Sequence, residues 1–217
     1  PTYNRLDSLL ITLHGISQQT YPASAFEVLV VDDGGSDGTE QITHDSFPFA
    51  LRYFRQQNRG EIAARDLGVS HSKGEILTFL DDDIFVSSPY LQALMQAQTK
   101  YPDDLIIGTI ETRYIPIACD FRDRMDENCP DLMGKAEEVS YIDVCSHSLM
   151  LSRHTFCAIG GMIPLDVSGR NAWGGIDLGY RAHMQGLHVY RAADAYGIHN
   201  DHNLRNHASN SRRWERL

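Results

Sequence analysis

Three observations on the sequence predict an α/β domain built on a mostly parallel central sheet flanked by helices. Apolar runs of strand length alternate with stretches whose apolar residues recur at helical spacing. The strand-like runs are continuous rather than alternating in polarity, as expected for strands covered on both faces. Two of these runs end in acidic clusters, Asp32–Asp33 and Asp81–Asp83, and in open α/β sheets ligands gather at the carboxyl ends of strands.

The elements follow in order. Asn4 is placed to cap a first helix whose apolar stripe is Leu6, Leu9, Leu10, Leu13 and Ile16. Residues 26–31 form a buried strand, ended by Asp32-Asp-Gly-Gly-Ser-Asp-Gly38, whose glycines permit positive φ and close approach of backbone to a ligand. A short helix over 39–45 and a short strand over 51–54 come next, then a helix over 61–70 carrying Ala63, Ala64 and Arg65. The strand over 75–80 runs straight into the aspartates. Pro89 opens a helix to residue 100 with Leu91, Leu94 and Met95 inward. In the second half, 105–110 and 142–151 read as strands, 115–139 as loop-rich, and 176–185 as a helix stopped by Gly186. Residues 1–4 read as the exit loop of a first strand that the sequence lacks, and 201–217 as a polar tail.

A length of 217 residues suits a single domain over 1–217. The net charge of -10 argues against electrostatic capture of nucleic acid or of an anionic membrane surface, so an anionic ligand needs local compensation by metal and arginine. Cys119, Cys129, Cys145 and Cys157 show no C-x-x-C spacing, which leaves free, partly buried thiols and a reducing compartment as the expectation. There is no membrane-length apolar run and no signal-peptide pattern. The expected location is cytoplasmic, with peripheral membrane association through partners or further segments left open.

The chemistry concentrates on the aspartates. In extended chain Asp81 and Asp83 point to one side and Asp82 to the other. Oxygen ligands at a strand end suit Mg²⁺ or Mn²⁺ with coordination positions left for phosphate oxygens; the plain alternative is a solvated acidic turn.

The order of motifs resembles family 2 glycosyltransferases, enzymes of the GT-A fold that transfer a sugar from a nucleoside diphosphate donor. The pieces are Pro1-Thr-Tyr-Asn-Arg5, Val30-Val-Asp-Asp-Gly-Gly-Ser-Asp-Gly-Thr39, Gln57-Asn-Arg-Gly60 with Ala63-Ala-Arg-Asp66, Phe79-Leu-Asp-Asp-Asp83, Ser152-Arg153 with Ile159-Gly-Gly161, and Trp173-Gly-Gly175 with Asp177-Leu-Gly-Tyr-Arg181. The resemblance implies a nucleotide-binding half over about 1–100 and a smaller, irregular acceptor-binding half over about 101–200. It implies that Thr2, Tyr3 and the Asp32–Asp33 pair hold the base, with Arg65 near the base or diphosphate. A carboxylate can accept the uracil N3 proton and an aromatic ring can stack, which favours a UDP-sugar; Asx turns and an Arg65–Glu61 helix pair are the structural alternatives. Asp81 would contact the ribose, Asp83 would bind the Mn²⁺ or Mg²⁺ that bridges the diphosphate, and His199 would complete the metal site, with His202 as a competitor.

Family members usually carry Trp-Gly-Gly-Glu-Asp, two further residues and Leu-Gly-Tyr-Arg, so the segment here is two residues short. Asp177 is then the candidate general base for an inverting attack by a hydroxyl acceptor, a glycan or other alcohol; the alternative is a carboxylate favoured by the helix dipole. Trp173, Gly174 and Gly175 would face the sugar or acceptor. Further domains of a longer chain, a non-catalytic nucleotide-sugar-binding module and a sugar nucleotidyltransferase are the other readings the sequence admits.

Overall fold

The structure, a computed structural model, describes residues 1–113, 136–164 and 174–200. In chain order its elements are α1 (Leu6–Ser17), β1 (Glu27–Asp32), β2 (Ala50–Arg55), α2 (Glu61–His71), β3 (Ile76–Leu80), β4 (Ile84–Val86), α3 (Tyr90–Lys100), β5 (Leu105–Arg113), β6 (Ala136–Val139), β7 (Ser148–Ser152), α4 (Arg153–Ala158), α5 (Gly174–Met184) and β8 (Val189–Asn200).

The α/β architecture expected from the sequence is present, and its sheet is mixed. β1 and β2 form one parallel ladder. A second sheet has the order β3-β7-β5-β8-β4, with β6 also on β8. Only β5–β8 is parallel there, while β3–β7, β5–β7, β4–β8 and β6–β8 are antiparallel. A continuous apolar run reports that both faces are covered but not which way the strand runs, so the reversal of β7 between β3 and β5 is invisible in the pattern. The 142–151 segment also divides: Tyr141–Asp143 is a 3₁₀ turn, and the strand begins only at Ser148. Part of the 115–139 region, Ala136–Val139, is strand; residues 115–135 lie outside the described residues, as does 201–217.

Strand periodicity divides the core into two layers. On one face Leu77, Phe79, Leu105, Ile107, Leu149 and Leu151 pack with Ile62 of α2, Phe156 of α4 and Leu178 and Ala182 of α5. On the other, Ile106 and Met150 meet Tyr90, Leu94 and Ala97 of α3. A third cluster joins Leu9 and Leu13 of α1 to Val30, Ile42 and Phe49.

Helix α1 takes its first-turn partner from elsewhere in the chain. Asn4, expected as its cap, lies at φ 53°, and its Oδ1 accepts from the Ser36 N–H at 2.7 Å. The Leu6 N–H instead donates to Asp37 Oδ2 at 2.8 Å. An orphan helix donor is satisfied either way, but here the tie crosses to the loop after β1.

Among the described residues β1 pairs as a strand only with β2, apart from a single bridge from Asp32 to Thr2, and β3 only with β7. Their other edges flank a cavity of about 500 Å³ lined by Val28 and Val30, Leu77 and Phe79, and Leu13 and Gly68. No helix among the described residues is long and apolar enough to cross a membrane. Cys145 and Cys157 are free and exposed rather than partly buried.

Candidate active site

The two acidic clusters are drawn together by residues 2–6. Thr2 is buried in a bridge to Asp32, its N–H donating to Val31 O and its carbonyl accepting from the Asp33 N–H, each at 2.9 Å. Asn4 and Leu6 hold the loop after β1 as described above. Between them Arg5 Nη1 lies 2.8 Å from Asp83 Oδ2 and 3.3 Å from Asp82 Oδ1. Tyr3 is 49% exposed, so its ring is open to a stacking partner.

Helix α2 makes a second connection. Asp33 accepts from the Arg59 and Gly60 N–H groups, each at 2.8 Å, and from Gln56 Nε2 at 2.7 Å, which fixes the loop entering α2. One turn on, buried Arg65 donates to Asp81 Oδ1 at 2.5 Å and pairs with Glu61 at 3.3 Å. The i,i+4 pairing weighed from the sequence therefore coexists with a contact to the acidic turn. Arg65 Nε is buried without a hydrogen-bond partner among the described residues.

Asp32 is almost fully engaged. It accepts from the Gly35 N–H at 2.7 Å and the Tyr53 hydroxyl at 2.8 Å, with Arg55 Nε at 3.4 Å. Burial and the Asp32 charge raise the Tyr53 phenol well above its ordinary value, keeping it a proton donor to that carboxylate. Gly34, at φ +85°, leaves no room for a side chain, since a Cβ would stand 2.9 Å from Asn58 N.

The three aspartates do not continue as extended chain. The Ile84 N–H donates to Asp81 O at 3.3 Å, so Asp81–Ile84 is a turn, and Asp82 joins Asp83 on Arg5 while Asp81 goes to Arg65. This corrects the expectation that Asp81 and Asp83 share a side with Asp82 turned away: three adjacent carboxylates separate onto two arginines when the chain reverses. Burial, reinforced by the Asp83 charge, pushes the Asp82 carboxyl above the ordinary aspartate range against the pull of Arg5.

Strand register delivers the histidines. β4 pairs with β8 so that Ile84 faces His199, and the Asn200 N–H donates to Asp83 O at 3.0 Å. His199 Nε2 accordingly sits 3.5 Å from Asp83 Oδ1. His147 lies just before β7, whose Ser148 pairs with Leu80 beside Asp81. Its ring is 5.8 Å from that of His199, centroid to centroid and 13° from parallel. Burial, with the His199 imidazole adding to it, holds the His147 pKa below its ordinary value of 6.5 despite Asp81 and Asp83, so the ring is neutral at pH 7. Ser148 anchors this segment, bonding Tyr90 Oη at 2.7 Å and the Gly108 N–H at 3.0 Å. Sequence reasoning missed His147 because only the antiparallel register of β7 places it at the site. It missed the roles of Arg5, Tyr53 and Gln56 for the same reason: their partners are distant in sequence.

The α5 side is more structural. Asp177 Oδ2 is held by Arg181 Nε at 2.8 Å and Nη2 at 2.7 Å, and Arg181 also donates to Ile159 O and Gly161 O. This clamp fastens α5 to the turn after α4. Ser152 caps α4, and Arg153 binds the carbonyls of Val69 in the last turn of α2 and of Ser72 and Gly74 just beyond it, so both are architectural. Gly174 and Gly175 are buried in the first turn of α5, which begins two residues earlier than expected. A Cβ on Gly175 would stand 2.6 Å from Val144 O and 2.9 Å from Ser146 N, so this glycine lets α5 approach the segment leading to His147. Trp173 and His202 lie outside the described residues.

The sequence pattern described as Glycosyl transferase family 2 matches residues 1–157. The chain belongs to this family. Glycosyltransferase AglE of Haloferax volcanii is 34% identical over 120 residues, covering 52% of the chain and 38% of the relative. Validoxylamine A glucosyltransferase of Streptomyces hygroscopicus subsp. jinggangensis is 27% identical across 97% of the chain and 56% of its own length. The family 2 chain described here thus spans well under two-thirds of the relatives it matches. Among solved structures, mannosyltransferase PcManGT from Pyrobaculum calidifontis, in complex with GDP-Man and Mn²⁺, superposes with a TM-score of 0.68 at 21% identity over 92% of this chain and 55% of that one. S. aureus TarS 1-349 with UDP-GlcNAc gives 0.67 at 17% identity over 91% and 56%. At these identities the likeness establishes a shared GT-A fold.

Proposed function

We propose that this chain is a glycosyltransferase domain that takes a sugar from a UDP-sugar, with Mn²⁺ or Mg²⁺, and passes it to a hydroxyl acceptor with inversion. The observation that carries the reading is the convergence of the Asp32–Asp33 loop and the Asp81–Asp83 turn on Thr2–Arg5 and α2. Base recognition falls to Asp33: three of the roughly four acceptor positions of its carboxylate are used by the protein, leaving one for the N3–H of uracil. Tyr3 supplies a stacking face and Arg65, through its unpartnered Nε, a buried positive charge beside Asp81.

The donor atoms present fit a divalent cation that keeps most of its coordination for the substrate. Asp83 Oδ1 and His199 Nε2 face each other at 3.5 Å, a carboxylate with an imidazole as suits Mn²⁺, although no three His, Cys, Asp or Glu side chains converge as ligands among the described residues. Diphosphate oxygens and water would complete the shell. Such an ion, when bound, stabilises the charge that develops on the departing diphosphate. Asp81, fixed by Arg65, is positioned for the ribose. Asp177 is the carboxylate left by the family pattern to accept the acceptor's proton, and Arg181 would have to release it.

The test is a thermal-shift comparison of UDP, GDP and CMP with Mn²⁺ or EDTA, for the wild type and Asp83→Asn. A ligand that binds only the folded state at about 100 times its Kd stabilises by about 2.7 kcal/mol, a shift of several degrees. UDP with Mn²⁺ is expected to give this shift, and Asp83→Asn to lose it; an equal shift with CMP would remove the uridine assignment, and no shift with any nucleotide would remove the reading itself. The Asp177–Arg181 clamp favours one second reading, a nucleotide-sugar-binding module without turnover. Slow UDP release from UDP-sugars in Mn²⁺ decides for the transferase, and binding without release for the module.

A further inference from the structure

We propose that Arg5 is a transferable counter-ion: it neutralises Asp83 in the metal-free protein, yields that carboxylate to the entering divalent cation, and then binds the diphosphate that arrives with the cation. The inference rests on the reading that Asp83, with His199, holds the cation.

Three features of Arg5 carry it. The first is occupancy, since its guanidinium lies 2.8 Å from Asp83 Oδ2 and 3.3 Å from Asp82 Oδ1 and thus sits on the carboxylate that a metal requires. The second is an asymmetry of exposure. The Asp82 and Asp83 side chains are each 6% exposed whereas that of Arg5 is 48% exposed, so the acids are fixed and the cation is at the solvent edge. The third is anchorage. The residues on either side of Arg5 are fastened, Asn4 by its side-chain Oδ1 to the Ser36 N–H and Leu6 by its N–H to Asp37, so the Arg5 side chain can swing without moving α1 or the loop after β1. Arg65, the other arginine at the turn, is buried and committed to Asp81 and Glu61, and cannot take this part.

The charges impose an order of events. An arginine and a divalent ion on one carboxylate repel each other at short range, so each weakens the other's hold. A diphosphate reverses the balance, because it brings negative charge to the same place and offers oxygens that match the planar donor fork of arginine. Arg5 should therefore oppose metal binding before the nucleotide arrives and favour nucleotide binding once metal is present, which makes cation and nucleotide bind together rather than singly.

The experiment is a Mn²⁺ titration, following the paramagnetic resonance signal of the free ion, on the wild type, Arg5→Gln, Arg5→Lys and Asp83→Asn, without nucleotide and with UDP. Arg5→Gln is expected to bind Mn²⁺ alone about tenfold more tightly than the wild type and, at saturating Mn²⁺, to bind UDP about tenfold more weakly, each the equivalent of about 1.4 kcal/mol. Arg5→Lys, which keeps the charge but loses the fork, should match the wild type for Mn²⁺ alone and weaken UDP. If Asp83→Asn abolishes Mn²⁺ binding while Arg5→Gln leaves the Mn²⁺ affinity unchanged or lowers it, the counter-ion role is wrong and the cation site stands. If Asp83→Asn binds Mn²⁺ as the wild type does, the cation site falls and the role of Arg5 with it.

Discussion

Single residues at this site do their work through partners far along the chain. Gly175 is the clearest case: the family pattern marks it as facing the sugar, yet what the structure requires of it is the absence of a Cβ, so that α5 can lie against Val144 and Ser146. Gly175→Ala should destabilise the protein by about 1–3 kcal/mol through overpacking. Because the displaced segment carries His147, UDP affinity in Mn²⁺ should fall as well, read by urea denaturation and calorimetry; unchanged stability would mean that the 144–146 segment yields freely. Much of the site was legible at this scale. Motif order names Asp33, Asp81, Asp83, Arg65 and His199, and the structure joins Arg65 to Asp81, His199 to Asp83 and Asp33 to the loop entering α2. Their division between partners was not, since whether three aspartates run straight or turn depends on arginines 16 and 77 or 78 positions away. The neutral His147 could be found only from strand register.

Among elements, α1 shows how a helix boundary is set by tertiary structure. Its first turn relies on Asp37, whose carboxyl is burdened by slight burial but drawn below the ordinary value of 3.8 by the Thr39 hydroxyl and the Leu6 and Thr39 N–H groups. A depressed carboxylate pKa contributes stability above the unfolded value and loses it as pH falls through the folded one. Asp37→Ala should therefore cost about 1 kcal/mol at pH 7, at the low end for a cap because the carboxylate is solvent-screened. The difference from the wild type should close progressively once pH drops below about 3.8; a difference constant between pH 7 and pH 3 would show that the carboxylate charge plays no part. Local pattern located α1, α2, α3, α5, β1, β2, β3 and β5 to within a few residues, but it gave no element at β4, β6, α4 or β8, short or polar segments whose strand or helix state is set by their partners. It misplaced the cap of α1 and the start of β7, where a distant contact outweighs local preference.

For the molecule as a whole, the edges of β1 and β3 that carry no strand partner among the described residues, beyond the Thr2–Asp32 bridge, are open to a further strand. Each borders the 500 Å³ cavity, and backbone groups along such edges favour pairing with another strand. A separate Val- and Ile-rich peptide of about six residues, matched to the six residues of β1 and supplied in excess, should bury several side chains worth about 1.5–3 kcal/mol each before the entropy of ordering them. The midpoint of thermal unfolding should rise by several degrees. An alternating Lys-substituted peptide should not raise it, and equal midpoints with both peptides would mean that no strand enters. Periodicity predicted the α/β class. It predicts a mostly parallel sheet whereas the sheet is mixed, because a parallel and an antiparallel strand buried on both faces present the same composition.

Helix α2 is tied at three points: its entering loop to Asp33, its Arg65 to Asp81, and its far end to Arg153. It therefore acts as a ruler of fixed length between the loop where a base would be read and the acidic turn whose Asp81 and Asp83 would receive the ribose and the diphosphate. A nucleoside monophosphate could satisfy one end of that ruler and a free pyrophosphate the other, but only a molecule carrying both, at the right separation, could span it. On the proposed function, discrimination by reach would be built into the scaffold before any contact with a sugar is made.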